Sequence, residues 1–348
     1  MSESYTHDPV HLAAKLYYVD NLPQTDIAKF INVSQAKISR LLAEARQRGI
    51  VQITVAEYEF RNRDLEKALQ DRFGLLSAYV IRSSSNIAPE DFRRMVAHFA
   101  APLVASLLQP GMTVAVSGGR TLKEIVQSLP EVRCKDITVV QTMGSIDSHI
   151  GPVDALEVAR TIARHCGGSF ITLNTPAFLP DKKTRESFTA LSQIDSVRQR
   201  MSKADLALIG VGTLSNSVFV ERGMLPEKEV HTLQDLGAVG EICGRFFDIH
   251  GQECQSLWRD RVVSIEFEQL RRIPQVVAAV VGSDRALAIA AAIKGNLLKS
   301  LIIDDVGAKT LLELPENIQA SNNKANNSGI TTRAIKNNYV KKKGQSAT

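Results

Sequence analysis

PQTDIAKFINVSQAKISRLLAEARQR, residues 23–48, sets two apolar stripes on either side of a short break. In the first half, about Gln24 to Ile31, Ile27, Ala28 and Ile31 recur at helical spacing, and Asn32-Val33 supplies the turn. Ser34 is an N-cap residue type and opens a second helix, in which Ile38, Leu41, Leu42 and Ala45 make one buried stripe. Gln35, Lys37, Ser39, Arg40, Arg46 and Arg48 fall largely off that stripe and face outward. Short polar and basic side chains near the start of such a helix reach base edges and phosphates in a DNA groove. The candidate DNA-contacting residues are therefore Gln24, Ser34, Gln35, Lys37, Ser39, Arg40 and Arg46. Periodicity alone leaves a second reading open, an αα-hairpin with a solvated polar face.

On the N-terminal side, residues 8–20 read as a further helix with Leu12, Leu16 and Val19 inward and Asp20-Asn21 ending it. On the C-terminal side Gly49 stops the recognition helix in the left-handed conformation that glycine tolerates. The run Ile50–Ala56, IVQITVA, alternates β-branched residues and predicts a strand, the wing of a winged helix-turn-helix. Three helices and one strand bury little surface alone, so dimerisation or docking on the rest of the chain is expected.

The charge distribution does not repeat this signal. Of 42 basic and 37 acidic residues, the stretch 316–348 holds six cations against Glu316 alone, and the preceding 315 residues balance at 36 of each sign. Its low apolar content and its Asn, Lys, Ser and Thr predict a disordered basic tail. With 44% hydrophobic and 23% charged residues the composition favours neither a disordered nor a membrane protein. No apolar run reaches the roughly 18 residues a bilayer span needs, and the N-terminus lacks signal-peptide character, so a cytoplasmic location with no membrane partner is expected. Cys134, Cys166, Cys243 and Cys254 are scattered without CxxC pairing, which predicts reduced thiols, no metal and no cofactor.

Beyond an amphipathic helix at Arg61–Phe73, strands and helices alternate. Strands are expected at Ser77–Ile81, Thr113–Val116, Ile137–Thr142, Ser169–Leu173, Leu206–Ile209, Val276–Val281 and Leu301–Ile303. Helices are expected near 88–108, 121–128, 154–166, 185–202, 285–296 and 306–314. Continuous apolar strands such as LALIG and VVAAVVG mark a sheet covered on both faces, hence an α/β, doubly wound, Rossmann-like parallel domain. The organisation read from the chain is a helix-turn-helix domain at 1–57, a larger α/β domain at 58–315, which the family resemblance given below makes the effector-binding and oligomerisation domain, and the tail.

Ligands of such sheets bind beyond the carboxyl ends of the strands. The sharpest candidate there is Ser117-Gly118-Gly119-Arg120-Thr121, a strand passing through two glycines into a helix. Converging backbone N–H groups, two hydroxyls, a guanidinium and a helix N-terminus make an anion cradle, although the spacing is neither a Walker loop nor a complete dinucleotide fingerprint. Similar turns carry Gly144 and Asp147, Gly210 to Thr213 with Gly212, and Gly282 to Arg285. For each, plain turn chemistry is the competing reading. Glu241, after two glycines, either binds a sugar hydroxyl or pairs with Arg245 on the surface.

Four ordered segments, LYYVDNLPQTDIAKFINVSQAKISRLLAEARQRGIV, AVSGGRTL, GAVGEICGRFFDIHG and VVGSDRALAIAAAIKGNLLKSLIIDDVGAKTLL, together resemble the SorC/DeoR-like family of sugar-responsive bacterial transcriptional regulators. The resemblance spans about residues 8–314. It implies a helix-turn-helix followed by an effector domain related to phosphosugar isomerases, in a homodimer or homotetramer that binds operator DNA and responds to a small carbohydrate, polyol or sugar phosphate. It also implies that Ser117, Gly118, Gly119, Arg120 and Thr121 surround the phosphate or terminal polar end of the effector, and that Glu241 binds sugar hydroxyls. Arg285 stands where the family often has a lysine, and Arg120 where several members have a threonine. Met143 stands where some members carry a lysine that forms a Schiff base, which argues against a covalent adduct here. The competing class is an enzyme, a sugar-phosphate isomerase or deaminase with an added DNA-binding domain. Asp147, His149 and Glu241 are its acid–base candidates, though they form no motif that identifies a catalytic pair.

Overall fold

A computed structural model describes residues 8–315, apart from 55, 57, 84–87, 133, 148 and 149. The expected tail at 316–348, His149, and Val55 of the expected wing lie outside the described residues. The chain divides into two compact units, Met1–Glu59 and Phe60–Thr348.

In the first unit, helices α1 (Pro9–Ala14), α2 (Gln24–Phe30) and α3 (Gln35–Gln47) pack round Ile27, Ile38, Leu41, Leu42 and Ala45. The Asp8 side chain caps α1, and the helix continues through a π-helical turn at Lys15–Val19. On α1 the inward positions are taken by Val10, Ala13 and Ala14 rather than Leu12, and the wider turn carries Val19 off the inward face. Leu16 is buried as expected, whereas Leu12 and Val19 are exposed. Asn32, at φ 55°, makes the break between α2 and α3, and Gly49, at φ 69°, ends α3. The wing is not formed: among the described residues of 50–56 none is strand. Ile50 and Val51 instead donate their amides to the Ala45 carbonyl and lean on the helical core. A β-branched alternation needs a partner strand, and the described part of this unit supplies none.

The second unit begins with α4 (Arg63–Phe73) and carries a seven-stranded sheet that is parallel throughout. Its strands are β1 (Ser77–Ile81), β2 (Thr113–Val116), β3 (Thr138–Gln141), β4 (Ser169–Ile171), β5 (Leu206–Ile209), β8 (Gln275–Ala279) and β9 (Ser300–Asp304). Between β5 and β8 the chain makes a hairpin of β6 (Gly240–Ile242) and β7 (Arg245–Phe247). Helices α5 (Pro89–Leu107), α6 (Arg120–Gln127), α7 (Ala155–Cys166), α8 (Lys182–Thr189), α9 (Ser192–Ser202), α10 (Val218–Glu221), α11 (Glu227–Asp235), α12 (Phe267–Arg272), α13 (Ala286–Lys294) and α14 (Asp305–Glu313) complete it. The single helix expected at 185–202 is two, because Leu191 turns extended and restarts the chain as the N-cap of α9. Every residue of β5 and of β9 is buried, as the apolar runs required, and separate cores fill the two faces of the sheet.

Strand order is β1-β9-β8-β5-β2-β3-β4. Successive strands step one way from β2 to β4 and the other way from β5 to β9, so the chain reverses between β2 and β5. At such a switch point the loops leaving two adjacent strands diverge and open a crevice.

Candidate functional site

A cleft of about 340 Å³ lies at that switch point. Its two walls rise from the turns after β2 and β5. Ser117 ties them together: its amide donates to the Leu208 carbonyl at 2.9 Å and its Oγ accepts from the Gly210 amide at 3.1 Å. Gly118 is needed for packing. A Cβ there would sit 2.5 Å from the Val153 carbonyl oxygen and 2.8 Å from the Ala155 nitrogen, at the capped start of α7. Gly119, at φ 130°, turns the chain into α6, whose first amides have no intrahelical acceptor. Arg120, Thr121 and Leu122, the first turn of α6, line the cleft.

Three guanidinium groups gather on this side. Arg93 of α5, Arg120 and Arg285 all line the cleft. Burial, then the charges of Arg120 and Arg285, hold the Arg93 pKa below the usual arginine value. Arg285 donates to the Val281 carbonyl at 3.0 Å and to Asp284 at 2.7 Å, and Arg120 reaches Glu221 at 3.4 Å. Arg93 has neither a hydrogen bond nor an ion pair among the described residues. A basic group held in a partly dry wall without a partner is poised to take an anion.

The opposite wall is acidic. The hairpin of β6 and β7 turns through Cys243 and Gly244, both at positive φ (52° and 76°), the conformation of a tight two-residue hairpin turn. Gly212 and Glu241 exchange both backbone hydrogen bonds at 2.9 Å, which fixes the hairpin beside the β5 turn. Burial raises the Glu241 carboxyl to about 7, against hydrogen bonds from Ser217 and the Gly244 amide that favour its charged form. Near neutral pH such a carboxyl is partly protonated and has both a donor and acceptors to offer. The alternative for Glu241, a surface pairing with Arg245, is not seen among the described residues. Arg245 is buried and bonds Glu253 at 2.6 Å and Ser264 at 3.0 Å. Cys243 meets the Thr142 hydroxyl at 3.4 Å, and burial pushes its thiol up to about 11, far from thiolate chemistry. Trp258, stacked on Phe178 and donating to the Gly244 carbonyl at 2.8 Å, supports the turn from behind.

A short segment after the β5 turn completes the lining and serves as its cover. The 3₁₀ turn Leu214–Asn216, α10 and its C-cap Arg222 carry three polar side chains, each fastened to a different loop. Asn216 donates to Asp284 at 2.7 Å, Glu221 takes Arg120, and Arg222 reaches Asp147 at 3.4 Å.

Of the ten residues picked out as effector-binding, eight line the cleft: Ser117, Gly118, Gly119, Arg120, Thr121, Gly212, Glu241 and Arg285. Two do not. Gly144 is a crossing point, where a Cβ would meet the Thr175 and Pro176 backbone at 2.5 Å. Asp147 stands at the rim as the partner of Arg222. Arg93, Asn216, Glu221, Arg222 and Cys243 line the cleft although the sequence reading missed them. Arg93 comes from a helix face, Cys243 from the β6–β7 turn and the others from the segment after β5, and nothing in their local spacing announces a site.

The Sugar-bind family model, which describes a sugar-binding domain, matches residues 58–313. The chain belongs to the SorC/DeoR-like family of sugar-binding transcriptional regulators. The transcriptional regulator YjhU of Escherichia coli K12 is 28% identical over 321 residues, covering 90% of this chain and 98% of its own. The deoxyribonucleoside regulator of Bacillus subtilis 168 is 29% identical over 311 residues, 86% of this chain and 96% of its own. The crystal structure of the full-length sorbitol operon regulator SorC from Klebsiella pneumoniae aligns with a TM-score of 0.67 at 25% identity, over 87% of this chain and 98% of that one.

As a SorC/DeoR-like regulator, the protein uses its helix-turn-helix unit to bind DNA. Gln35, Lys37, Ser39 and Arg40 are exposed on the first turns of α3, and Gln24 opens α2 half-buried. Ser34 caps α3, its Oγ accepting from the Lys37 amide at 3.2 Å. Arg46 lies on the last turn and donates to the Tyr18 hydroxyl at 3.0 Å, which holds its head on its own unit. Arg48 is likewise engaged, by Asp8 at 2.8 Å and Glu44 at 3.3 Å. No helix among the described residues is long and apolar enough to cross a membrane.

Proposed function

We propose that the cleft takes a sugar or polyol bearing a phosphate, and that its occupancy sets how tightly paired copies of the helix-turn-helix unit hold operator DNA. The observation that carries this is the convergence of Arg93, Arg120 and Arg285 with the first amides of α6 at one side, opposite the near-neutral carboxyl of Glu241. The cationic side suits the phosphate and Glu241 suits the hydroxyls. The volume, about 340 Å³, is that of a small-metabolite pocket. The names of the relatives, which include a sorbitol operon regulator and an erythritol catabolism regulatory protein, support the polyol class. Single helix-turn-helix units of modest charge bind weakly, so the regulator acts as a homodimer or homotetramer. An effector of this kind shifts operator affinity by about 5- to 150-fold.

A thermal-shift screen of sugars, polyols and their phosphates tests the pocket. Phosphorylated compounds are expected to raise the melting temperature more than their neutral parents, and the reading fails if none of them does. For the DNA half, Arg40→Ala is expected to weaken operator binding while leaving effector binding intact. Equal loss of both would contradict the division of labour.

A second reading, catalysis on the bound sugar phosphate, draws on Glu241, whose pKa of about 7 suits a general base. We favour binding without turnover, because the relatives bear the names of regulators. Product formation from pentose or hexose phosphates at enzyme-like rates would reverse that choice.

A further inference from the structure

We propose that Glu221 is the specificity residue of the cleft, a built-in carboxylate that holds the anion subsite until a doubly charged ligand displaces it. This rests on the reading of the cleft as a phosphate-accepting site and adds how that site measures ligand charge.

The argument is one of charge and position. Of the three guanidiniums, Arg285 is committed to Asp284, on its own turn, at 2.7 Å. Arg120 is held at 3.4 Å by Glu221, which arrives from α10, a different part of the chain. Arg93 has no hydrogen bond or contact ion pair among the described residues, and Glu124 and Glu90 act on it only through their charge. With Glu221 in place, and with Arg222 held by Asp147, the cationic wall therefore offers one guanidinium that no carboxylate contacts directly, enough for a monoanion. Once Glu221 leaves Arg120 the wall offers two, which matches a phosphate monoester at neutral pH.

The Arg120–Glu221 pair is built to yield. Both side chains are nearly half exposed, at 48% and 47%, so solvent screens the attraction and release costs little. Glu221 also stands close enough to Glu241 for its charge to help raise the Glu241 pKa, so its departure relieves a repulsion inside the cleft. The same short segment is fastened by Asn216 to Asp284 and by Arg222 to Asp147. A dianion that takes Arg120 thus loosens one of three fastenings of the cover over its own site, and charge recognition becomes a change in the mouth.

The test measures binding of glucose 6-phosphate, a dianion, and gluconate, a monoanion of similar size, by calorimetry at pH 7.5. Wild type, Glu221→Gln and Asn216→Ala are compared in the full chain. Glu221→Gln is expected to tighten glucose 6-phosphate by about three- to tenfold and to change gluconate less than about twofold. Asn216→Ala, which frees the cover without changing the charge, is expected to shift both ligands alike. In Arg93→Ala the gain from Glu221→Gln should shrink, because the second half of the dianion site is missing. If Glu221→Gln leaves both affinities unchanged, or moves both by the same factor, the Glu221 assignment is overturned while the pocket reading stands. If wild type binds neither ligand, the pocket reading falls and takes this inference with it.

Discussion

The two walls of the cleft are made from the same material, a buried strand running into a glycine turn, yet they behave differently. At the β2 wall, Gly118 is pressed against the backbone of Val153–Ala155, with no room for a methyl group. At the β5 wall, a Cβ on Gly212 would meet only Glu241, at an ordinary 3.9 Å. One glycine exists to let two pieces of backbone touch. The other leaves open space beside a functional carboxyl. A glycine-rich turn in the sequence does not reveal which of these it is.

Four experiments sharpen or break that contrast. Gly118→Ala is expected to destabilise the protein most, by about 3 kcal/mol, because the clash is with backbone that cannot rotate away. A denaturation midpoint equal to wild type would show that the β2 wall is no more constrained than the β5 wall. For the same reason an acidic residue at 118 would report misfolding rather than a blocked pocket.

The β5 wall should show its character through pH. Burial lifts Glu241 to about 7 from the unperturbed 4.5, so the folded protein holds a proton that the unfolded chain releases. The stability associated with the neutral form is full below about pH 4.5 and is lost as pH rises to about 7, on the order of 3 kcal/mol. Glu241→Gln should flatten that part of the stability–pH curve in urea titrations. A slope equal to that of wild type would place the buried proton elsewhere.

Arg93→Ala tests the cationic wall. It should weaken glucose 6-phosphate by about 2 kcal/mol, roughly thirtyfold, with little effect on folding. Unchanged affinity in calorimetry would remove Arg93 from the site. The smallest effect is expected of Gly212→Ala, within about 1 kcal/mol of wild-type stability. A loss as large as that of Gly118→Ala would erase the distinction between the two turns.

Much of the framework was legible in the sequence because burial on both faces writes itself as continuous apolar runs. Ser77–Ile81, Thr113–Val116 and Leu206–Ile209 have the bounds their residues predict. Among the described residues of 50–56 the expected wing is absent for a complementary reason. IVQITVA has the composition of a strand, but pairing is a property of two segments, and Ile50 and Val51 found carbonyl and apolar partners on α3 instead. The opposite error occurred at Gly240–Phe247, whose hairpin turns through Cys243-Gly244. Cysteine is not a usual residue at positive φ, and its use makes sense only where the thiol is buried against Thr142 in the pocket wall.

What the sequence by itself determined is the set of elements and the chemistry at the strand ends: the recognition helix with its outward polar face, the parallel strands, the glycine turns and Glu241. Those are local or periodic properties, set by side-chain type and spacing along one stretch. Tertiary structure alone decided which turns share a cleft, that Arg93 joins Arg120 and Arg285, that Gly144 serves packing, and that Glu221 sits on Arg120. These depend on strand order and on the chain's reversal between β2 and β5, which bring together residues about a hundred positions apart. A contact across such a distance leaves no periodic trace in the chain that makes it.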